Sequence, residues 1–454
     1  MEYLSIVDFL LTPVYLFIIY AVSRIIQKHK IENHPEYKYY LRALTMKILG
    51  ALSLCFVYTF YYNGGDTTQY FADSISVNKL LFQNPVGGWD VIIHGLTLDK
   101  LSYFDNEIGY PVYFREASTS FVVQVISVVS ILGFRSFLPS TIIIAWISFS
   151  GIWNLYRVFL IEFPKQSKDL TIAFFFIPSV LIWGSGILKD TFTLSAVGYF
   201  TYSFYKGYIK FENPIRNTIV IFISAYVIIV VKSYIFIALL PGALLWFVSN
   251  IMGKIKGKLL RYSMAPLFLF FTIGGALFII NYMGDTLGKF SSDKLLDRAV
   301  ITQRDLKSDY YHGNSFDIGN FDSNFESILT VSPKALLAGL FRPYIWEANN
   351  ILMVASGLEN LWFLYMSILI LYKTKVVGFF KFFFKHHLLT FSLVFSLFFA
   401  FSVGLTTSNF GSLVRYKIPA EPFYIASMII INSYLKEEKK SELQLESDED
   451  LIAA

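Results

Sequence analysis

The stretch Thr218–Val248, TIVIFISAYVIIVVKSYIFIALLPGALLWFV, contains two long apolar runs separated by Lys232. A helix needs about 20 apolar residues to cross a bilayer. The stretch therefore predicts two membrane spans, near 216–231 and 233–251, with Lys232 in the outer turn between them. This pattern favours an all-α, polytopic membrane protein over a soluble domain.

The composition of the whole chain agrees with that interpretation. Of 454 residues, 16% are charged and 55% are hydrophobic, and the mean hydropathy is +0.53, whereas soluble domains carry about 25% charged residues. We expect one helical transmembrane domain, 1–434, with eleven spans, and an acidic tail, 435–454, that is disordered. The predicted spans lie near 6–25, 46–62, 139–157, 170–186, 190–206, 216–231, 233–251, 263–282, 353–372, 388–405 and 416–434.

Basic residues set the predicted orientation, because loops rich in Lys and Arg stay in the cytoplasm. The basic clusters lie at 28–42, 254–261, 373–385 and 436–440. All of them are cytoplasmic if the apolar run 119–134 stays on the outer side as a re-entrant or interfacial helix; the alternative is an ordinary span there, with an error in the count elsewhere. We expect an outside N terminus, a cytoplasmic C terminus, extracytoplasmic loops at about 63–138 and 284–350, and a multi-pass location in the cytoplasmic (inner) membrane.

Several function classes lack support in the sequence. The only cysteine, Cys55, lies in an apolar run, and the six histidines show no metal-ligand spacing. There is no phosphate-binding glycine loop, no nucleophile elbow and no nucleic-acid signature. We therefore expect no cofactor and no nucleic-acid partner, and no residue is assigned to a metal; a divalent metal stays open as an alternative that the sequence does not support.

The first candidate site is the outer stretch YYNGGDTTQYFADS, Tyr61–Ser74. Its two glycines end one helix, and Asp66 is expected to N-cap the next. In that helix Asp66, Tyr70 and Asp73 share one face. The stretch predicts a catalytic pair of carboxylates, Asp66 and Asp73, with Tyr70 as a sugar-binding ring; a loop whose Asp merely caps a helix is the alternative.

The second candidate site is Lys189 with Asp190, at the outer start of a predicted span. A helix N terminus and a lysine both favour an anion such as a phosphate. We expect Lys189 to bind a substrate phosphate, Lys232 to add a further cation, and Asp190 to bind sugar. The alternative is a lysine that extends toward the interface beside an N-terminal aspartate.

The third candidate site is LFRPYIWEANN, Leu340–Asn350, at the end of the long outer loop. Aromatic rings stack on sugar faces, and arginine binds phosphate with two hydrogen bonds. We expect Arg342 to bind phosphate and Trp346 and Glu347 to bind sugar. The alternative is a folded outer cap with an Arg342–Glu347 surface pair.

The fourth candidate site is NFGSLVRYKIPAEPFYI, Asn409–Ile425, at the outer start of the last span. Arg415 and Lys417 depart from the positive-inside tendency, and Glu421 lies slightly deeper. An intramembrane carboxylate near two cations is a candidate site. We expect Arg415 to bind phosphate and Glu421 to bind sugar; a structural ion pair is the alternative.

Carboxylates and cations from four separate segments are thus predicted to meet in one outward-facing site. Such a site suits a polyprenyl-linked sugar, whose tail lies in the bilayer and whose phosphate needs cations. Transfer of the sugar requires a base on the acceptor hydroxyl and stabilisation of the leaving phosphate. Asp66 would be the base, and Lys189, Arg342 and Arg415 would hold the phosphate.

The motifs GGDTTQYFADS (64–74), IPSVLIWGSGILKDTF (177–192) and VRYKIPAEPFYI (414–425) also resemble patterns in a known group of membrane enzymes. These are multi-spanning glycosyltransferases of the GT-C type and Wzy- and EpsG-like bacterial polysaccharide polymerases. The resemblance implies an extracytoplasmic active site and a polyprenyl-(pyro)phosphate sugar donor. It implies that Asp66 is the catalytic carboxylate and Arg415 a cation near the lipid phosphate. The chain departs from the pattern in an extra N-terminal span and in Thr67, which stands where a second acidic residue is usual.

Two other function classes remain open on the sequence. One is a transporter or flippase for a lipid-linked or anionic substrate, which needs polar residues through the membrane. The other is a non-enzymatic subunit of an envelope complex, whose outer loops bind other glycan-assembly proteins. The membrane bilayer is a partner in every case, and a lipid-linked saccharide in the first.

Overall fold

The computed structural model describes residues 4–254, 295–306 and 315–453. These ranges are helical nearly throughout and contain no strand, apart from an isolated bridge between Ser315 and Asn409. The predicted all-α class is confirmed. The α-helices are α1 (Ile6–Ile31), α2 (Tyr40–Phe56), α3 (Asp66–Gln83), α4 (Pro85–His94), α5 (Ala117–Leu132), α6 (Phe137–Glu162), α7 (Ser167–Thr171), α8 (Pro178–Trp183), α9 (Lys189–Phe204), α10 (Pro214–Lys254), α11 (Leu295–Leu306), α12 (Phe325–Phe341), α13 (Ile351–Lys385), α14 (His387–Thr406), α15 (Phe410–Tyr416) and α16 (Glu421–Ala453).

Six helices in the described ranges are long and apolar enough to cross a membrane. One of them joins α2 to the short helical turns on either side of it. The chain therefore has the features of a multi-pass protein in contact with lipid. The six candidate spans are Ile6–Ile31, Pro35–Tyr61, Phe137–Glu162, Pro214–Lys254, Ile351–Lys385 and His387–Thr406.

The predicted count of eleven spans is not confirmed. The span near 170–186 is divided into α7, a π-helical turn at Ile172–Phe176 and α8, because Pro178 lacks the N–H that would continue the ladder. The spans near 190–206 and 416–434 contain α9 and the start of α16, neither of which is among the six. The span near 263–282 lies outside the described residues.

The break predicted at Lys232 is present. α10 runs from Pro214 to Lys254, but Lys232 has the non-helical backbone angles φ −151° and ψ 79°. A helix rises about 1.5 Å per residue, so each side of the break is close to the length that a bilayer requires.

The apolar run 119–134 forms α5, whose 16 residues extend for about 24 Å. This length is below the thickness of about 30 Å of a hydrocarbon core. The helix is too short to be one of the candidate spans, and its position on the outer side stays a prediction.

The predicted domain organisation stays a prediction, and the structure adds two observations that bear on it. The residues expected to form a single domain divide into two compact units: unit 1 is Met1–Val158 with Phe174–Phe236, and unit 2 is Phe159–Ala173 with Ile237–Ala454. The tail 435–454, expected to be disordered, continues α16 as a helix to Ala453. Its Lys, Glu, Gln and Leu residues are good helix formers, and this propensity outweighs the low hydrophobicity.

Helix contacts in each unit hold the candidate residues. In unit 1, α3 packs on α5, and the Asn78 side chain donates a hydrogen bond of 2.7 Å to Ser130 Oγ. In unit 2, α12 and α14 meet at backbone contact, because a Cβ atom at Gly339 would overlap the carbonyl oxygen of Ala400. Small residues allow this close approach of two helices in a membrane protein.

Candidate functional site

α3 begins at a sharp turn of the chain. Asn63, Gly64 and Gly65 all have positive φ values of 53°, 133° and 125°. A Cβ atom at Gly65 would also lie 2.8 Å from the ring of Tyr58, so the position requires glycine. Gly65 is the N-cap residue, and the expectation that Asp66 caps the helix is wrong. Asp66 is instead the first helical residue, and its carboxylate has a partner in another segment.

That partner is Tyr113, which the sequence did not identify. Its hydroxyl donates a hydrogen bond of 3.0 Å to Asp66 Oδ1, and its backbone N–H donates one of 2.8 Å to Asp73 Oδ2. The ring of Tyr113 lies against Tyr70, with 4.9 Å between the ring centroids. One residue thus contacts Asp66, Tyr70 and Asp73, which confirms that the three share a face of α3.

The two aspartates have different environments. Asp73 is buried and accepts hydrogen bonds from Gln69 Nε2 at 2.8 Å, Val112 N at 3.0 Å and Tyr113 N at 2.8 Å. Burial raises the pKa of Asp73, while the three hydrogen bonds oppose the increase. Asp66 is only partly buried. Asp73 therefore positions the 112–113 backbone, and we assign the candidate base role to Asp66 alone.

Lys189 is the candidate phosphate-binding cation of unit 1 that lies at a helix start. It opens α9, and its Nζ donates a hydrogen bond of 2.9 Å to Ser118 Oγ and lies 3.8 Å from Glu116 Oε2. Burial lowers the pKa of Lys189 to about 8, and the positive charge of Lys232 acts in the same direction; Glu116 and, more weakly, Asp66 and Asp190 oppose the decrease. Asp66 acts weakly on Lys189 through its charge, and the meeting of the two in one site stays a prediction. The contacts of Lys189 with Ser118 and Glu116 were missed.

Lys232 and Asp190 form a buried ion pair in unit 1. Lys232 Nζ donates to Asp190 Oδ1, and the two side chains are 8% and 0% exposed. A buried ion needs a partner, because its transfer out of water is expensive. The predicted roles of Lys232 on phosphate and of Asp190 on sugar are revised, since each charge neutralises the other. The pair joins the start of α9 to the break in α10.

Arg342 and Glu347 in unit 2 form the ion pair that the sequence left open as an alternative. Arg342 Nε lies 3.5 Å from Glu347 Oε1. The guanidinium also lies over the rings of Phe316 and Tyr344, 5.1 and 5.5 Å from their centroids. Trp346 stacks on Tyr344 with a centroid distance of 4.8 Å and is 72% exposed. The predicted aromatic platform is present, but the charge of Arg342 is already matched.

Lys417, expected at the outer surface, is buried in unit 2. Its Nζ donates to Asn360 Oδ1 and to Arg342 O, the latter at 3.4 Å, and lies 3.5 Å from Glu421 Oε1. Lys417 and Glu421 line a narrow cavity with Phe363 and its neighbours. The contact between Lys417 and Glu421 agrees with the alternative interpretation of Asn409–Ile425, in which these charges form a structural ion pair. Arg415, on α15, is partly buried.

The candidate residues are divided between the two units. Asp66, Tyr70, Asp73 and Lys189 lie in unit 1, whereas the segments of Arg342 and Arg415 lie in unit 2. The expected meeting of the two groups in one outward-facing site stays a prediction. Among the described residues, no three His, Cys, Asp or Glu side chains are grouped as metal ligands.

No protein-family model, curated protein or solved structure matches this chain. The resemblance to membrane glycosyltransferases and polysaccharide polymerases therefore rests on the three motifs alone.

Proposed function

We propose that this protein is an integral-membrane glycosyltransferase or polysaccharide polymerase in cell-surface glycan assembly. Its sugar donor is a polyprenyl-(pyro)phosphate-linked saccharide, used at an extracytoplasmic site. The observation that carries the proposal is a carboxylate held at one helix start, Asp66 bonded by Tyr113, and a largely buried cation, Lys189, at the start of another helix of the same unit. Sugar transfer from a lipid phosphate needs these two groups.

In this reaction Asp66 accepts the proton of the acceptor hydroxyl as its oxygen attacks the anomeric carbon of the donor sugar. The bond between that carbon and the phosphate oxygen breaks, and the phosphate leaves with the electron pair. Lys189 stabilises the negative charge that develops on the leaving oxygen, with help from the N-terminal dipole of α9. Tyr113 keeps the carboxylate of Asp66 in one orientation through its hydrogen bond to Oδ1.

The environment of Lys189 suits this role. With a pKa of about 8 the amine is mostly protonated at neutral pH, although it is largely removed from water. Its distance of 3.8 Å from Glu116 is that of a loose ion pair, so a phosphate can compete for the charge. A partly desolvated cation attracts an anion more strongly than one in bulk water does.

The test is Asp66→Asn, which keeps the shape of the side chain and removes its basicity. The matched control is Asp99→Asn, the same change at an exposed position of the same outer segment. We expect Asp66→Asn to lower glycan formation by a factor of about 10² to 10⁴, with unchanged protein level and membrane insertion. Glycans and lipid-linked intermediates are profiled in a deletion strain that carries each variant. Normal glycan with Asp66→Asn would refute the proposal, and full tolerance of single changes at Lys189 as well would favour a non-enzymatic subunit.

A transporter or flippase for a lipid-linked or anionic substrate is the second candidate. It is favoured by the buried charges Lys232 with Asp190 and Lys417 with Glu421, since polar groups between helices are typical of transport pathways. A transporter would lose flux in proteoliposomes when Lys189 is changed but would tolerate Asp66→Asn. The two variants therefore distinguish transfer from transport.

A further inference from the structure

An exposed aromatic surface in unit 2 has the features of a binding site. We call it the Trp346 ledge and define it by Phe316, Arg342, Tyr344, Trp346 and Glu347. Phe316 is buried, Arg342 lies over it, Tyr344 lies beside Arg342, and Trp346 stacks on Tyr344 at an interplanar angle of 18°. One face of the indole is covered by Tyr344, and the side chain as a whole is 72% exposed.

Hydrogen bonds within the ledge fix its shape. Glu347 Oε2 accepts a hydrogen bond of 2.9 Å from Tyr344 N, and Glu347 N donates one of 3.0 Å to Tyr344 O. The other carboxylate oxygen of Glu347 pairs with Arg342. The residues that carry the exposed indole are therefore held by reciprocal contacts.

Buried polar groups support the ledge from the inside of unit 2. Asn360 Nδ2 donates a hydrogen bond of 3.1 Å to Pro343 O, and Lys417 Nζ donates to Arg342 O at 3.4 Å. A Cβ atom at Gly357 would lie 2.9 Å from Ile345 Cα, so α13 packs directly on this backbone. A rigid backbone and a rigid exposed ring lose little entropy when a ligand binds.

The charge distribution selects the ligand. The charge of Arg342 is matched by Glu347, and the guanidinium lies against two rings, so the ledge presents an aromatic face with no net charge. A phosphate would gain little there, whereas the apolar face of a sugar ring stacks well on an exposed indole. We propose that the Trp346 ledge is a saccharide subsite that binds a neutral pyranose ring of the glycan. The identity of the glycan rests on the proposed function, but the binding does not require catalysis.

The test measures binding without transfer. The full-length protein in lipid nanodiscs is titrated with phosphate-free oligosaccharide released from the surface glycan of the source cells. Calorimetry gives the affinity. We expect Trp346→Ala to weaken binding about fivefold to tenfold and Trp346→Phe to weaken it less. Trp89→Ala is the matched control, since Trp89 is 53% exposed and lies on α4 in unit 1.

Equal affinity of Trp346→Ala and the unmodified protein would overturn the proposal. Quenching of Trp346 fluorescence by brominated lipid, without protection by the oligosaccharide, would assign the ledge to the membrane interface and would also overturn it. Asp66→Asn, assayed both for glycan formation in cells and in the same titration, keeps the two proposals apart. If Asp66→Asn retains transfer while Trp346→Ala loses binding, the proposed function fails and the ledge stands; the reverse pattern rejects the ledge alone.

Discussion

Asp73→Asn replaces a carboxylate oxygen with an NH₂ group at a buried point where three hydrogen-bond donors meet. The donors are Gln69 Nε2 and Val112 N on Oδ1 and Tyr113 N on Oδ2. The least damaging orientation of the amide keeps its oxygen toward the two donors on the Oδ1 side. Its NH₂ group then faces the N–H of Tyr113, and neither group has an acceptor.

The magnitude follows from these contacts. A buried N–H without an acceptor costs about 1 to 3 kcal/mol, and hydrogen bonds to a charged acceptor are stronger than those to a neutral one by about 1 kcal/mol. The neutral amide avoids the cost of burying a charged carboxylate, which is the cost that raises the pKa of Asp73 above its usual value. This gain offsets part of the lost stability. We expect a net loss of about 2 to 3 kcal/mol in the free energy of unfolding.

The assay is thermal unfolding of the purified protein in detergent, followed by the loss of the monodisperse peak in size-exclusion chromatography. Asp66→Asn is the matched control, because it is the same substitution at a partly buried position of the same helix, whereas Asp73 is buried. We expect a clear decrease in the melting temperature for Asp73→Asn and little change for Asp66→Asn. A stable Asp73→Asn protein without transfer activity would show that Asp73 is the catalytic carboxylate and that our assignment of a positioning role is wrong.

Two further substitutions test the charges of unit 1. Lys189 has a pKa of about 8 and loses its proton as the pH rises through that value, so we expect kcat/KM to fall above about pH 8. An arginine stays charged over this range, so the Lys189→Arg variant should not show the fall. Identical pH profiles for the two proteins would contradict the role of Lys189 in binding phosphate. Lys232→Met leaves Asp190 buried without its ion-pair partner and should lower stability by about 3 to 5 kcal/mol. The double variant Lys232→Met/Asp190→Asn should recover most of that loss in the same thermal assay, and an equal melting temperature for the single and double variants would contradict the pairing.

Features set by local sequence were predictable. Apolar length and charge depletion were sufficient for the all-helical class and for the positions of the six candidate spans. The break at Lys232 follows from one charge between two apolar runs. The shared face of Asp66, Tyr70 and Asp73 follows from helical spacing, which Tyr113 confirms by contacting all three.

Features that depend on contacts between distant segments were not predictable. Tyr113 lies 47 residues after Asp66 in a loop without periodicity, so no pattern links the two. Lys232 and Asp190 each looked like a ligand for substrate because their separation of 42 residues concealed their pairing. Lys417 was expected at the outer surface because it lies near a helix start, but it is buried and donates a hydrogen bond to Asn360 from a distant helix. In each case the sequence alone does not distinguish a charged side chain that pairs with another residue of the protein from one that binds a ligand.

The close crossing of α12 and α14 has a consequence for biogenesis. A Cβ atom at Gly339 would overlap Ala400 O, and one at Gly404 would overlap Ala335 O, so the two helices contact through their backbones. The partner surface of α12 is therefore synthesised some 60 residues after Gly339, and a ribosome-bound chain that ends before His387 leaves the face of α12 with Ala335 and Gly339 uncovered by α14. Assembly of unit 2 must await release of α14 from the translocon, and truncation ahead of that helix should produce a chain that quality-control proteases remove.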